Sequence, residues 1–111
     1  MDLKTRTEQG VVVIEVSGRL DALTATDFEK YCTDAIKKDL GKMVVDLSGL
    51  EYISSAGLRS LLTLAKQLKV SGASLALCNL SGIVKEVMTV SGFNQFFPVF
   101  NDLQSAIKGD I

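Results

Sequence analysis

Two adjacent serines, Ser54 and Ser55, are the residues of this 111-residue chain whose type and setting most directly permit chemistry. They stand where an apolar, strand-like run gives way to a helix-like run, within MVVDLSGLEYISSAGLRSLLTLAKQL at positions 43–68. A hydroxyl at such a junction can do two things. It can cap the helix by accepting a backbone N–H left free in the first turn. It can also carry a phosphoryl group, because the free N–H groups and the helix dipole favour an anion there. Gly57 lies three residues after Ser54, and Leu58 three after Ser55, so neither frame supplies the Glu or Gln of a capping box. The first turn therefore carries no anion of its own. Ala56 and Gly57 are small enough to let a foreign group approach the backbone. Either serine can be the cap.

Most other chemistry is excluded by composition. The chain has no His, so a Ser-His-Asp triad, a His general base and a Cys/His zinc site are all impossible. Cys32 and Cys78 lie far apart in apolar contexts and read as buried, reduced thiols. There is no G-x-x-x-x-G-K-[ST] phosphate loop. Asp21 suits a turn or cap, and Asp46 with Ser48 suits the support of the loop after a strand. They are not read as an acid–base couple, since nothing else supplies a nucleophile, a metal cluster or a substrate pocket. The expectation is a non-enzymatic module with no metal and no cofactor.

The elements that must position these residues follow from periodicity. Leu3–Thr7 and Val11–Val16 read as a hairpin turning at Gln9-Gly10, and Ser17-Gly18-Arg19-Leu20-Asp21 then breaks the pattern. Thr24 with Asp27, or Thr26 with Glu29, opens a first helix whose apolar face is Phe28, Tyr31, Cys32, Ala35 and Ile36, closed by Gly41. Lys42–Leu47 is a strand buried on both faces, with Ser48-Gly49 as a turn. Leu58, Leu61, Leu62, Ala65 and Leu68 mark a second helix of about four turns, closed by Ser71-Gly72. Ser74–Cys78 is the next strand, and Ile83, Val84, Val87 and Met88 mark a third helix. Phe96–Phe100 reads as an edge strand because it contains Pro98, and Leu103, Ala106 and Ile107 belong to a last short helix capped by Asn101 or Asp102.

The order ββαβαβαβα predicts one α/β domain over 1–111, with a mixed, mostly parallel sheet of about five strands and helices packed against it. In such sheets functional groups gather at the carboxyl ends of the strands. If the second and third strands are neighbours, Gly18–Asp21 and Asp46–Gly57 share one rim. Net charge is −1, from 12 basic and 13 acidic residues, which argues against nucleic acid as the main partner. No signal core and no stretch of about 20 apolar residues is present. A cytoplasmic protein that does not insert into membranes is expected.

Asp-Leu-Ser at 46–48, Tyr-Ile-Ser-Ser-Ala-Gly-Leu at 52–58, Gly-Arg-Leu-Asp at 18–21 and Ser-Gly-Phe-Asn-Gln-Phe-Phe at 91–97 together resemble the anti-sigma factor antagonists, the stand-alone members of the STAS domain class. The resemblance implies a switch. The unmodified antagonist binds an anti-sigma factor that is also a serine kinase of the GHKL type, and a sigma factor is freed. The kinase phosphorylates the antagonist at the start of this helix, the pair separates, and a PP2C-type phosphatase resets it. Carried across by position, the acceptor is Ser55, with Ser54 as alternative. Ser54 replaces the usual Asp, and Arg59 replaces the glycine often found there. Asp21, Ser54, Ser55, Gly57, Leu58 and Arg59 would form the partner-binding rim, and Arg59, four residues from Ser55, could reach its phosphate. The free protein is expected to be a monomer. Other readings consistent with the resemblance are a STAS subunit of a lipid-transport or different signalling assembly, and a nucleotide-binding STAS domain.

Overall fold

The computed structural model describes residues 1–36 and 41–109. β1 (Asp2–Glu8) and β2 (Val11–Leu20) form an antiparallel hairpin, followed by α1 (Ala25–Ile36), β3 (Lys42–Ile53), α2 (Ser55–Val70), β4 (Ser74–Cys78), α3 (Gly82–Ser91), β5 (Val99–Phe100) and α4 (Leu103–Lys108). The sheet order is β1-β2-β3-β4-β5, parallel from β2 onward. This is the predicted α/β order.

Both faces of the central strands are covered, which is why their sequences are apolar without alternation. Val12, Ile14 and Val16 of β2 and Met43, Val45 and Leu47 of β3 meet Phe28 and Cys32 of α1, Leu61, Leu64 and Leu68 of α2, and Val84 and Met88 of α3. Val11, Val13, Val44, Ala76 and Cys78 face the other way, onto Ala106 and Ile107 of α4. Cys32 and Cys78 are free and fully buried, and burial pushes both thiols up to about 12, with the nearby Asp46 and Asp102 carboxylates adding to the push at Cys78. Neither is a thiolate at neutral pH.

Four local expectations are corrected. Gly18-Arg19-Leu20 does not end β2, and Ser48-Gly49 is not a turn. Both strands run on in parallel register to Leu20↔Ile53, with shifts between Glu15/Ser17 and Gly18/Arg19. The small residues mark irregular pairing and close approach rather than reversal. A Cβ on Gly49 would lie 2.9 Å from the Cβ of Ser17, and Gly18 has φ +95°. Thirdly, α1 begins at Ala25, and the Thr24 hydroxyl turns back, donating to the Arg19 carbonyl and accepting from the Asp21 N–H, both at 3.0 Å. It does not close a box with Asp27. Fourthly, Phe93–Phe96 is a 3₁₀ turn, so the last strand shrinks to Val99–Phe100, at the sheet edge as Pro98 requires. Among the aromatic residues there, Phe97 is buried while Phe96 is exposed. The expected stop of α1 before Gly41 lies partly outside the described residues.

Candidate functional site

The extension of β3 to Ile53 leaves Ser54 as the whole connection to α2. That residue is extended, with φ −97° and ψ 176°, and its hydroxyl accepts the Gly57 N–H at 3.2 Å. Its own N–H donates to the Leu20 carbonyl at 3.0 Å, and its carbonyl receives the Leu58 N–H at 2.9 Å. Ser54 is therefore the N-cap, and the alternative left open by the sequence is closed. Ser55 is the first helical residue, is exposed, and its hydroxyl has no partner among the described residues. The Ser55 and Ala56 N–H groups remain as free donors of the first turn. No acidic residue complements them, since the first turn holds none.

Removing the cap tests this division. Ser54→Ala should cost about 1 kcal/mol, whereas Ser55→Ala should stay within about 0.5 kcal/mol of the parent. Paired urea titrations will show it. Equal losses would mean that both hydroxyls hold the helix.

The first turn is fixed from beneath. Gly57 is buried against the Leu20 carbonyl, and the buried Ser60 hydroxyl donates to the Gly57 carbonyl at 2.6 Å. Leu58 points into the core, at 4% exposure. Gly57 and Leu58, expected at the partner-binding rim, thus position Ser54–Ala56 and present no side chain to a partner. Arg59 is exposed, one turn along, with no ion pair among the described residues.

Asp21 stands on the same rim, because β2 and β3 are parallel neighbours. One carboxylate oxygen accepts the Leu23 N–H at 3.0 Å, forming an Asx turn before α1. The other lies 3.6 Å from Arg19 Nε. The Arg19 guanidinium also sits 4.3 Å from the centroid of the Tyr52 ring. Arg19 and Tyr52 are register partners, a pairing that hydrophobic periodicity does not specify. Their contact was missed from sequence for that reason, although both residues lie in motifs singled out there.

Asp46 is elsewhere. It is buried, and one oxygen accepts both the Ser48 N–H at 3.0 Å and the Asn79 amide at 3.1 Å. The rest of β3 separates it from Ser54, roughly 25 Å at the rise of a strand. Asp46, Ser48 and Asn79 instead tie β3 to the end of β4. No cluster of three or more His, Cys, Asp or Glu able to hold a metal occurs among the described residues, and no helix there is long and apolar enough to cross a membrane.

The STAS domain family model matches residues 2–106. BtrV of Bordetella bronchiseptica, a protein named as an anti-sigma factor antagonist, is 38% identical over 97 residues, 87% of this chain and 84% of the relative. RsfB of Mycobacterium tuberculosis, named an anti-sigma-F factor antagonist, is 24% identical over 100 residues, 90% of this chain and 81% of the relative. The crystal structure of TM1081 from Thermotoga maritima superposes with a TM-score of 0.86 at 21% identity, covering 96% of this chain and 92% of that one. The last likeness concerns the fold.

Proposed function

Because the chain belongs to the STAS domain family, and a 38% identical relative bears the name of an anti-sigma factor antagonist, we propose that it is an anti-sigma factor antagonist switched at Ser55. In its unmodified form it binds an anti-sigma factor that is a serine kinase of the GHKL type, and a sigma factor is released. Phosphorylation of Ser55 ends the complex, and a PP2C-type phosphatase restores it. The rim formed by Asp21, Ser54, Ser55 and Arg59 contacts the partner. The module acts in the cytoplasm as a monomer when free and performs no catalysis itself.

One observation carries the reading: the two serines have different jobs. Ser54 is occupied as the cap, while Ser55 offers an unclaimed, exposed hydroxyl beside free first-turn N–H groups. A phosphate there leaves the cap intact, and the helix dipole stabilises it by roughly 0.3–1 kcal/mol. Incubation with the anti-sigma factor and ATP should add one phosphate, mapped by mass spectrometry to Ser55 and absent in Ser55→Ala. Incorporation at Ser54, or none, would sink the proposal.

A further inference from the structure

We infer that Arg19, stacked on Tyr52 and resting against Asp21, is the intramolecular receptor for a phosphate on Ser55. This rests on the reading that Ser55 carries the phosphate. It makes the β2–α1 connection a working part of the switch.

Three features point to it. First, the guanidinium is oriented but weakly held. Tyr52 supports its plane at 4.3 Å, while the Asp21 contact through Nε is long, at 3.6 Å, and the Arg19 side chain is 62% exposed. Second, the terminal Nη groups donate to no protein acceptor among the described residues. The two-pronged end of the side chain is unclaimed, and that fork matches two phosphate oxygens at once. Third, its base is fixed beside the helix start. The Leu20 carbonyl, between Arg19 and Asp21 in the chain, receives the Ser54 N–H at 3.0 Å.

Three elements meet at this rim, and each carries charged or titratable groups. β2 and its connection bring Arg19 and Asp21, β3 brings Glu51 and Tyr52, and α2 brings Arg59. A phosphate on Ser55 would stand on the same rim as the Asp21 carboxylate that Arg19 already contacts. Arg19 can exchange its long Asp21 contact for a charge nearly twice as large. A ring-stacked guanidinium also loses less freedom on pairing than the unsupported Arg59 would.

The test installs phosphoserine at position 55 during translation, so that no kinase is needed. Phosphorus NMR then follows its second ionisation, which lies near ~6 for an unperturbed phosphoserine. The parent should titrate below that value. Arg19→Gln should raise it by about half a unit, more than Arg59→Gln does, and Arg19→Lys should recover part of the loss. Urea titration of unmodified Arg19→Gln, expected to match the parent, separates this from a folding defect. No shift in Arg19→Gln, or a larger one in Arg59→Gln, overturns the inference. A kinase that ignores Ser55 would remove the proposed function and leave the phosphorus titration standing.

Discussion

Gly57→Ala should destabilise the protein by about 2 kcal/mol or more, reversing the sign expected for glycine-to-alanine in a helix. Alanine ordinarily gains up to about 1 kcal/mol over glycine inside a helix. Here an added Cβ would overlap the Leu20 carbonyl oxygen, and would lie 3.0 Å from the Leu20 carbonyl carbon and 2.9 Å from Ile53 Cγ1. The obstacle is backbone, so no rotamer change relieves it. That carbonyl is also held in place, since it accepts the Ser54 N–H and Leu20 is paired with Ile53 across the strands. Relief requires α2 to lift from the end of β2, lengthening the Leu20–Ser54 hydrogen bond and disturbing the cap. Urea titration measures the stability loss, and amide exchange at Ser54 should accelerate more than exchange in β4. Gly72→Ala is not suitable because of its positive φ, so Gly41→Ala is the control: no atom of the described residues lies within 4 Å of its added Cβ. If Gly57→Ala is as stable as the parent, the contact between β2 and the helix start is looser than the structure has it.

The same contact explains which features were legible in the sequence. Element types followed from periodicity because each core position repeats at a spacing set by the backbone: Phe28, Cys32 and Ile36 on α1, and Leu58, Leu61 and Leu68 on α2. Small residues were ambiguous. Ser48-Gly49 has the composition of a turn, yet Gly49 is there because Ser17 of the neighbouring strand leaves no room for a side chain. That reason lies in the partner strand and leaves no local trace. The 3₁₀ turn Phe93–Phe96 takes in Phe96, where the last strand was expected to begin, and only Val99–Phe100 pairs.

The site divides along the same line. The bare helix start was legible, because it depends on residues three and four apart. Which serine caps it was not, since both frames satisfy the local rule. The end of β3 decides: with Ile53 paired to Leu20, only Ser54 is left to turn the chain. Asp46 shows the opposite failure. Asp46–Gly57 was expected to form one loop on the rim, but β3 runs on through it and carries Asp46 away from the serines, and its partner is Asn79, 33 residues away.

Charge at Ser55 should weaken the complex with the anti-sigma factor by nearly a thousandfold while leaving the fold unharmed. A negative group at the first helical position meets free N–H groups, and its effect on stability is roughly 0.3–1 kcal/mol in the favourable direction. The complex is affected differently. A kinase that phosphorylates Ser55 must bring its own machinery to this hydroxyl, including a carboxylate able to accept the hydroxyl proton. A unit negative charge about 4 Å from that carboxylate is opposed by about 4 kcal/mol at an effective dielectric near 20, nearly three decades in affinity. Ser55→Asp supplies one such charge and should show most of the effect by calorimetry, with an unchanged or slightly raised urea midpoint. Ser54→Asp is the informative contrast. Aspartate is as good an N-cap as serine, and there its charge is directed at the Gly57 N–H instead of outward. It should keep stability and lose much less affinity. At a separation of 4 Å, well inside the ~10 Å screening length at 0.1 M salt, raising the salt modestly should restore little of the Ser55→Asp loss. Equal affinity for parent and Ser55→Asp would place the switch somewhere other than the start of α2.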